Sequence, residues 1–389
     1  MSSQKVLVVG GGPAGCATAL TLLKNGIETE VYELGNKYRE KACGDCLAAD
    51  AQQALRSLNV FDKICLQSLV LPTLTFMNQA THFSLQSDLY SLQRSVFDQI
   101  LRDEVITWGG KVYYGKRIQD ISISPTGVVL EDSKGEKANG DCVVLATGAS
   151  NSLAQKVGFQ FTPHDIVAFR LYADNTPKIK SYTVWFDKSL SEGYGWLFPV
   201  PGGKLNIGLG FIEKYHAFHA TISSLKDSFF KTLREKYNLT GLESMRTLGG
   251  LLRTGLRRSS AIKDRVLLVG ELVNTTYALT GEGIGKALQS GIIAGEVIAK
   301  ALPDYSASSL QAYDERIRKD FTSIYDGYNQ AASFLSNSLS TSFSMFLFAH
   351  SNKLRSRLEA ILQERADPRD CLSLSGIAKT LIFPATDYS

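Results

Sequence analysis

Val6-Leu7-Val8-Val9 runs directly into Gly10-Gly11-Gly12-Pro13-Ala14-Gly15. Four aliphatic residues in a row have the pattern of a short strand buried on both faces. The glycines then open an apolar helical pattern, Ala17 to Leu23, which Gly26 ends. A second strand pattern, Glu28 to Tyr32, ends at Glu33. Strand, glycine turn, helix, strand and terminal acid form a βαβ opening that binds a dinucleotide. Gly10 permits the tight turn, Gly12 lets a pyrophosphate approach the backbone, and Gly15 lets helix and strand pack closely. The helix N-terminus at Pro13 and Ala14 offers free N–H groups and partial positive charge to the phosphates. Glu33 is placed to accept hydroxyl protons of an adenosine ribose.

Working outward, Ile118–Ser124, Gly127–Asp132 and a short third piece are punctuated by Pro125-Thr126-Gly127 and Ser133-Lys134-Gly135. That predicts a small antiparallel meander. A buried strand, Cys142 to Ala146, runs into Thr147-Gly148. Tyr194–Val200 and Lys204–Phe211 flank Pro201-Gly202-Gly203, a hairpin. Residues 214–238 and 308–366 read as helical, and no linker rich in Pro, Gly or Ser divides the chain, so its domains are expected to interleave.

The bound dinucleotide is NAD or FAD, and later segments favour FAD. Arg94 stands ahead of a helical start at Phe97–Leu101. Asp264–Glu271 is a strand that ends in a glycine and a carboxylate. Leu279-Thr280-Gly281-Glu282-Gly283-Ile284 then opens a long helix. A second glycine-rich helix N-terminus suits an extended ligand, with one helix at the pyrophosphate and the other favouring an anionic reduced flavin ring.

Composition bounds the function. At roughly 150 residues per domain, 389 residues suggest two or three units. An excess of only +4 (42 Lys+Arg against 38 Asp+Glu) argues against a nucleic-acid partner. Gly10 breaks the N-terminal apolar run too early for a signal peptide, and no apolar stretch reaches the 18 or so residues of a membrane span. Six cysteines without a disulfide framework suggest reduced thiols in a cytoplasmic protein, with peripheral membrane contact left open. Cys43-x-x-Cys46 can be a redox pair or half a metal site, but reads rather as a Cys43 thiol on the substrate side of the flavin, able to donate a proton, with Cys46 as packing, or as a buried inert thiol. No further ligand pair stands at a completing spacing, so no metal is expected.

Tyr194, Trp196 and Phe198 alternate, so they share one face of a strand, as core or as a wall of an apolar tunnel. Arg253, Arg257 and Arg258 read as an exposed loop or as a diphosphate clamp. His216 and His219, with Lys214 nearby, read as a solvated helix face. Residues 330–350, rich in Phe, Leu, Met and Ser, read as a core or cap helix rather than as one lying on a membrane.

On these residues the chain resembles the geranylgeranyl reductases, within the superfamily of FAD-dependent reductases, aromatic hydroxylases and flavin halogenases. The shared marks are GGGPAG at 10–15, Glu33, the Arg94 segment and DRVLLVGE at 264–271. The narrower marks are YGWLFPVPGGKLNIGLG at 194–210, KACGDCL at 41–47, similar to a K-x-C-G-G segment, and LTGEGI at 279–284. Asp45 stands where that segment has its second glycine. Glu271 stands for the relatives' Asp, and Tyr277-Ala278 for an Asp/Asn-Pro pair, a change expected to alter the wall beside the flavin.

The resemblance implies a glutathione-reductase-type α/β FAD-binding Rossmann domain with an inserted, mostly antiparallel β substrate domain and a helical C-terminal region. The expected divisions are 1–75, 90–150 and 251–302 for the FAD domain, 76–89 and 151–250 for the substrate domain, and 303–389 for the helical region. FAD is expected against Gly10, Gly12, Pro13, Ala14, Gly15, Glu33, Arg94, Thr147, Gly148, Glu271, Gly281, Gly283 and Ile284. Cys43, Tyr194 and Trp196 are the expected catalytic residues. The activity implied is reduction of C=C bonds in a prenyl-lipid or other hydrophobic small molecule, with NADPH, ferredoxin or a quinol as electron donor. The alternative is an FAD monooxygenase or halogenase acting on an aromatic or natural product.

Overall fold

Val6, Leu7 and Val8 are fully buried, so their strand has to lie inside a sheet with helices on both faces. The computed structural model, which describes residues 4–174, 179–186, 193–212, 222–239, 241–336 and 338–382, places it there. Lys5–Val9 pairs in parallel with Glu28–Tyr32 on one side and Cys142–Leu145 on the other. Lys111–Tyr113 extends the sheet beyond Glu28–Tyr32, and Val266–Leu268 extends it beyond Cys142–Leu145. The short strand Ile262–Lys263 turns back antiparallel at that edge.

The helices that cover this sheet pack by small residues. Helix Pro13–Lys24 starts on a proline, which needs no N–H partner at that position. A Cβ on Gly15 would stand 1.9 Å from the Gly10 carbonyl oxygen, so only glycine allows this helix to leave the strand so closely. Helix Ile284–Ala301 crosses it at Gly291 and Gly295, where a Cβ would meet Ala14 O at 2.2 Å and Thr21 Cβ at 2.6 Å. The expected meander is present: Ile118–Ser124, Gly127–Asp132 and Lys137–Gly140 pair antiparallel.

A seven-stranded sheet stands beside the first. Its order is Leu248–Leu252, Ile166–Asp174, Lys204–Ile212, Gly193–Val200, Tyr182–Trp185, Thr73–Met77 and His82–Gln86. It straddles the divisions expected at 75/76 and 250/251. The expected hairpin sets Val200 opposite Lys204, with Gly202 and Gly203 at positive φ in its turn. Helix Ile222–Tyr237 covers the back of this sheet, where a Cβ on Gly195 would run into the Phe229 ring at 2.4 Å. The front face carries Tyr194, Trp196 and Phe198. Helices Ala312–Phe334, Ser338–His350, Asn352–Leu362 and Leu374–Ile382 close the molecule. His216, His219 and Lys214 lie outside the described residues. Among the described residues no helix is long and apolar enough to cross a membrane, and no group of three His, Cys, Asp or Glu side chains is arranged to hold a metal.

Candidate active site

One cavity of about 1220 Å³ runs from the glycine turn, along the carboxyl ends of the parallel strands, to the front of the seven-stranded sheet. Gly10, Gly12, Pro13, Ala14, Glu33, Arg94, Thr147, Gly148, Glu271, Gly281, Gly283 and Ile284 all line it, as do Cys43, Tyr194 and Trp196. Gly15 does not; its part is the close helix–strand contact already described.

The groove fits FAD. A Cβ on Gly12 would meet nothing within 4 Å, so space lies open over the backbone where a pyrophosphate has to approach. Gly10 holds φ +112°, and a Cβ there would stand 2.2 Å from Ala146 O, which fixes the turn against the neighbouring strand. Glu33 is almost fully buried. It accepts the N–H of Gly11 at 2.8 Å and of Gly35 at 2.7 Å, and it pairs with Arg39 at 3.1 Å. Its carboxylate therefore braces the glycine turn as well as lining the groove. Buried Arg94 is bidentate to Asp98, at 2.8 and 2.9 Å. Glu271 accepts the Arg253 N–H at 2.7 Å and the Thr276 hydroxyl at 2.8 Å, and burial pushes its carboxyl above the ordinary value.

Cys43 meets this groove at the foot of the apolar arm. Its sulfur accepts the Asp45 N–H at 3.3 Å, and its carbonyl accepts Asn206 Nδ2 at 2.8 Å. Trp196 donates its indole N–H to Asn206 Oδ1 at 2.9 Å. Tyr194, Trp196 and Phe198 form a continuous wall, with ring centroids 6.2 and 6.4 Å apart. The Tyr194 hydroxyl donates to the Thr280 carbonyl, and burial pushes its pKa up, so its proton is held by the LTGEGI loop rather than offered to the cavity. Phe76, Phe186, Met345, Phe348, Ile361 and Leu362 continue the lining into an apolar arm.

Two expectations change. Tyr277 does not face the cavity: it stacks on Tyr328 with centroids 4.1 Å apart and donates to Glu364 Oε1 at 2.6 Å. Only Ala278 of that pair lines the wall, because the larger ring finds its apolar contacts under the C-terminal helices. The arginine trio, read as an exposed loop or a diphosphate clamp, is only partly exposed, and two of its guanidinium groups turn to protein carbonyls. Arg253 is buried and donates to Thr162 O and Ala149 O, Arg257 donates to Gln160 O and Ser260 O, and Arg258 pairs with Asp326 at the surface.

Other site residues escaped the sequence reading. Buried Arg102 donates to Gly11 O at 2.9 Å and to Lys37 O at 2.8 Å. Its signal was the spacing Arg94, Asp98, Arg102, one helix face at intervals of four. Asp50 and Glu282 also line the cavity, and Lys286 pairs with Asp50 and with Glu364 beside them. Lys286 Nζ lies 2.7 Å from Glu364 Oε2 and 3.8 Å from Asp50 Oδ2. Burial and the neighbouring carboxylates push Glu282 up to about 8, and burial with Glu364 pushes Asp50 up to about 6.

The comparisons with known proteins agree with this geometry. Residues 4–176 match the pyridine nucleotide-disulphide oxidoreductase family. With the fold and the groove, that match makes the chain an FAD-dependent oxidoreductase. Among individual proteins, it is 26% identical over 342 residues to a menaquinone reductase of Mycolicibacterium smegmatis, covering 82% of each chain. It is also 26% identical over 330 residues to digeranylgeranylglycerophospholipid reductase 2 of Methanococcoides burtonii, covering 80% of this chain and 79% of that one. The fold is shared with a geranylgeranyl bacteriochlorophyll reductase-like protein of Thermoplasma acidophilum, at TM-score 0.77 and 20% identity over 97% of this chain and 96% of that one. A variant of the halogenase PltM in complex with FAD also shares it, at TM-score 0.73 and 14% identity over 93% and 83%. The resemblance to the geranylgeranyl reductases thus extends over four fifths of the chain.

Proposed function

We propose that this protein is a geranylgeranyl-reductase-like enzyme that hydrogenates C=C bonds of a prenyl-lipid or other hydrophobic substrate. The observation that carries this reading is the continuity of one cavity: the FAD groove opens, past Cys43, into an arm walled by aromatic and aliphatic side chains. Bound FAD, once reduced by NADPH or another donor, supplies the hydride. Gly12 and the start of helix Pro13–Lys24 hold the pyrophosphate, and the N-terminus of helix Ile284–Ala301 favours negative charge on the ring. Tyr194, Trp196 and Phe198 exclude water from the alkene and hold it in place. Cys43 delivers the proton to the second carbon, which leaves Tyr194 as wall. Helix Ser338–His350 lines the arm with Met345 and Phe348 and exposes Leu339, Phe343 and Phe346 on its outer side, which supports peripheral membrane contact during uptake of a lipid.

The test is anaerobic. The purified yellow protein is reduced, geranylgeranyl diphosphate is added, and flavin reoxidation is followed together with the product mass. Reoxidation with a gain of two hydrogens per turnover supports the proposal. Reoxidation only after air is admitted overturns it in favour of a monooxygenase or halogenase, the chemistry for which the shared halogenase fold is the one supporting observation.

A further inference from the structure

Asp45 adopts a backbone conformation that suits glycine. Its φ is +63°, in the left-handed region that a side chain disfavours. What the side chain gains there is a set of three donors. The carboxylate is fully buried, and its Oδ2 accepts both the Tyr172 hydroxyl and Asn206 Nδ2, the latter at 2.7 Å. Its Oδ1 accepts the Arg94 N–H at 3.3 Å. These donors come from two strands of the seven-stranded sheet and from the first residue of helix Arg94–Thr107. Asn206 spends its other amide hydrogen on the Cys43 carbonyl, and the Asp45 N–H points at the Cys43 sulfur. The turn that carries the sulfur is thus held through Asp45 on one side and Asn206 on the other.

We infer that Asp45 is a positioning residue for Cys43: gripped by Tyr172 and Asn206, its carboxylate locks the 43–45 turn so that the sulfur stays at the cavity wall. The inference rests on the reading of Cys43 as the proton donor. A turn needed only for chain reversal would be met by glycine at no conformational cost. Here a charged group is buried instead, and every acceptor it provides is used to tie the turn to the sheet and the helix.

The lock responds to pH. Burial holds the Asp45 carboxyl up to about 6, opposed by the hydrogen bonds from Tyr172 and Asn206 and by the charges of Arg170 and Arg94. The other titratable groups facing it are Cys43 and Cys46 of its own loop, and Tyr172, which burial and Asp45 itself keep protonated. Protonation of Asp45 at Oδ2 takes away an acceptor that Tyr172 and Asn206 share, so one of the two has to let go. The turn is firm above pH 6 and loosens below it.

The experiment compares Asp45→Gly, Asp45→Asn and Cys43→Ala with the wild type, all loaded with FAD. One readout is the rate of Cys43 alkylation by iodoacetamide, followed by peptide mass spectrometry. The other is anaerobic single-turnover reoxidation of the reduced enzyme by geranylgeranyl diphosphate, from pH 5 to 8. Asp45→Gly relieves the backbone and deletes the lock, so alkylation rises and single-turnover reduction falls, each by roughly 10- to 100-fold at pH 7.5. Asparagine tolerates the left-handed conformation but keeps only one acceptor oxygen, so Asp45→Asn recovers part of both losses and behaves at pH 7.5 as the wild type does below pH 6. In that variant the break near pH 6 seen in the wild type disappears. Wild-type alkylation in Asp45→Gly, or a surviving break near pH 6 in Asp45→Asn, overturns the inference. Wild-type reoxidation in Cys43→Ala sinks the proton-donor reading instead, and alkylation, which needs no turnover, still decides whether Asp45 positions the sulfur.

Discussion

Asn206 reaches across from the seven-stranded sheet and donates to the backbone carbonyl of Cys43 at 2.8 Å. The same side chain accepts the indole N–H of Trp196. The aromatic wall and the loop that carries the sulfur are therefore held in one frame on the cavity wall. Replacing Cys43 by alanine leaves these backbone contacts in place. The variant is expected to bind FAD normally and to slow the alkene half-reaction by about 10²-fold or more, the usual scale for a lost general acid. Rapid mixing of the anaerobically reduced variant with substrate measures this directly. An unchanged single-turnover rate would pass the proton to water, because the Tyr194 hydroxyl is already committed to Thr280 O.

Gly12 and Gly15 make opposite predictions within one motif. The space over Gly12 is open, so Gly12→Val should fold but project its side chain where the pyrophosphate approaches. The expected outcome is a colourless protein with wild-type circular dichroism. At Gly15 a Cβ would instead strike the Gly10 carbonyl, and even alanine would force the helix off the strand. Gly15→Ala is expected to lower the yield of folded protein as well as its FAD content. Yellow Gly12→Val would refute the placement of the cofactor.

The difference between those glycines marks how much of the molecule could be read from the chain. Local pattern marked the parallel strands, the meander and the hairpin at Pro201-Gly202-Gly203, because each is decided by neighbours within a few positions, and with the family resemblance it named a small set of residues that line the cavity. Contacts between distant segments were not legible. Nothing local to Tyr277 says that its ring turns away from the cavity to stack on Tyr328, some fifty residues later. The arginines at 253–258 look like an anion clamp until backbone carbonyls from residues 149–162 are brought against two of them. The weight of Asp45 was hidden for the same reason: Tyr172 and Asn206, which give its carboxylate a purpose, lie well over a hundred positions away.

Glu282 carries a pH dependence of stability. Burial, with Asp50 and Glu364 nearby, raises its folded-state pKa from 4.5 to about 8. Between those values the folded protein keeps a proton that the unfolded chain has released. Its contribution to stability is therefore complete below pH 4.5 and is lost as pH rises toward 8, at a slope of at most about 1.4 kcal/mol per pH unit. Glu282→Gln removes the titration, so the FAD-loaded variant should lose less stability than the wild type between pH 5.5 and 8. Urea midpoints across that range measure the difference, and parallel curves would show that Glu282 does not hold the proton.

Tyr277 is the joint between the FAD-side strands and the C-terminal helices. Its ring lies between Tyr325 and Tyr328, and its hydroxyl closes a chain through Glu364 to Lys286. Tyr277→Phe keeps the stack and removes one hydrogen bond to a carboxylate that Lys286 still satisfies, at an expected cost of about 1–2 kcal/mol. Tyr277→Ala also empties a buried aromatic site, at an expected cost of about 3–5 kcal/mol. Because the ring faces away from the cavity, the phenylalanine variant should keep its FAD affinity while its urea midpoint falls. Weakened FAD binding in Tyr277→Phe at unchanged stability would instead place that ring beside the flavin, where the sequence alone had put it.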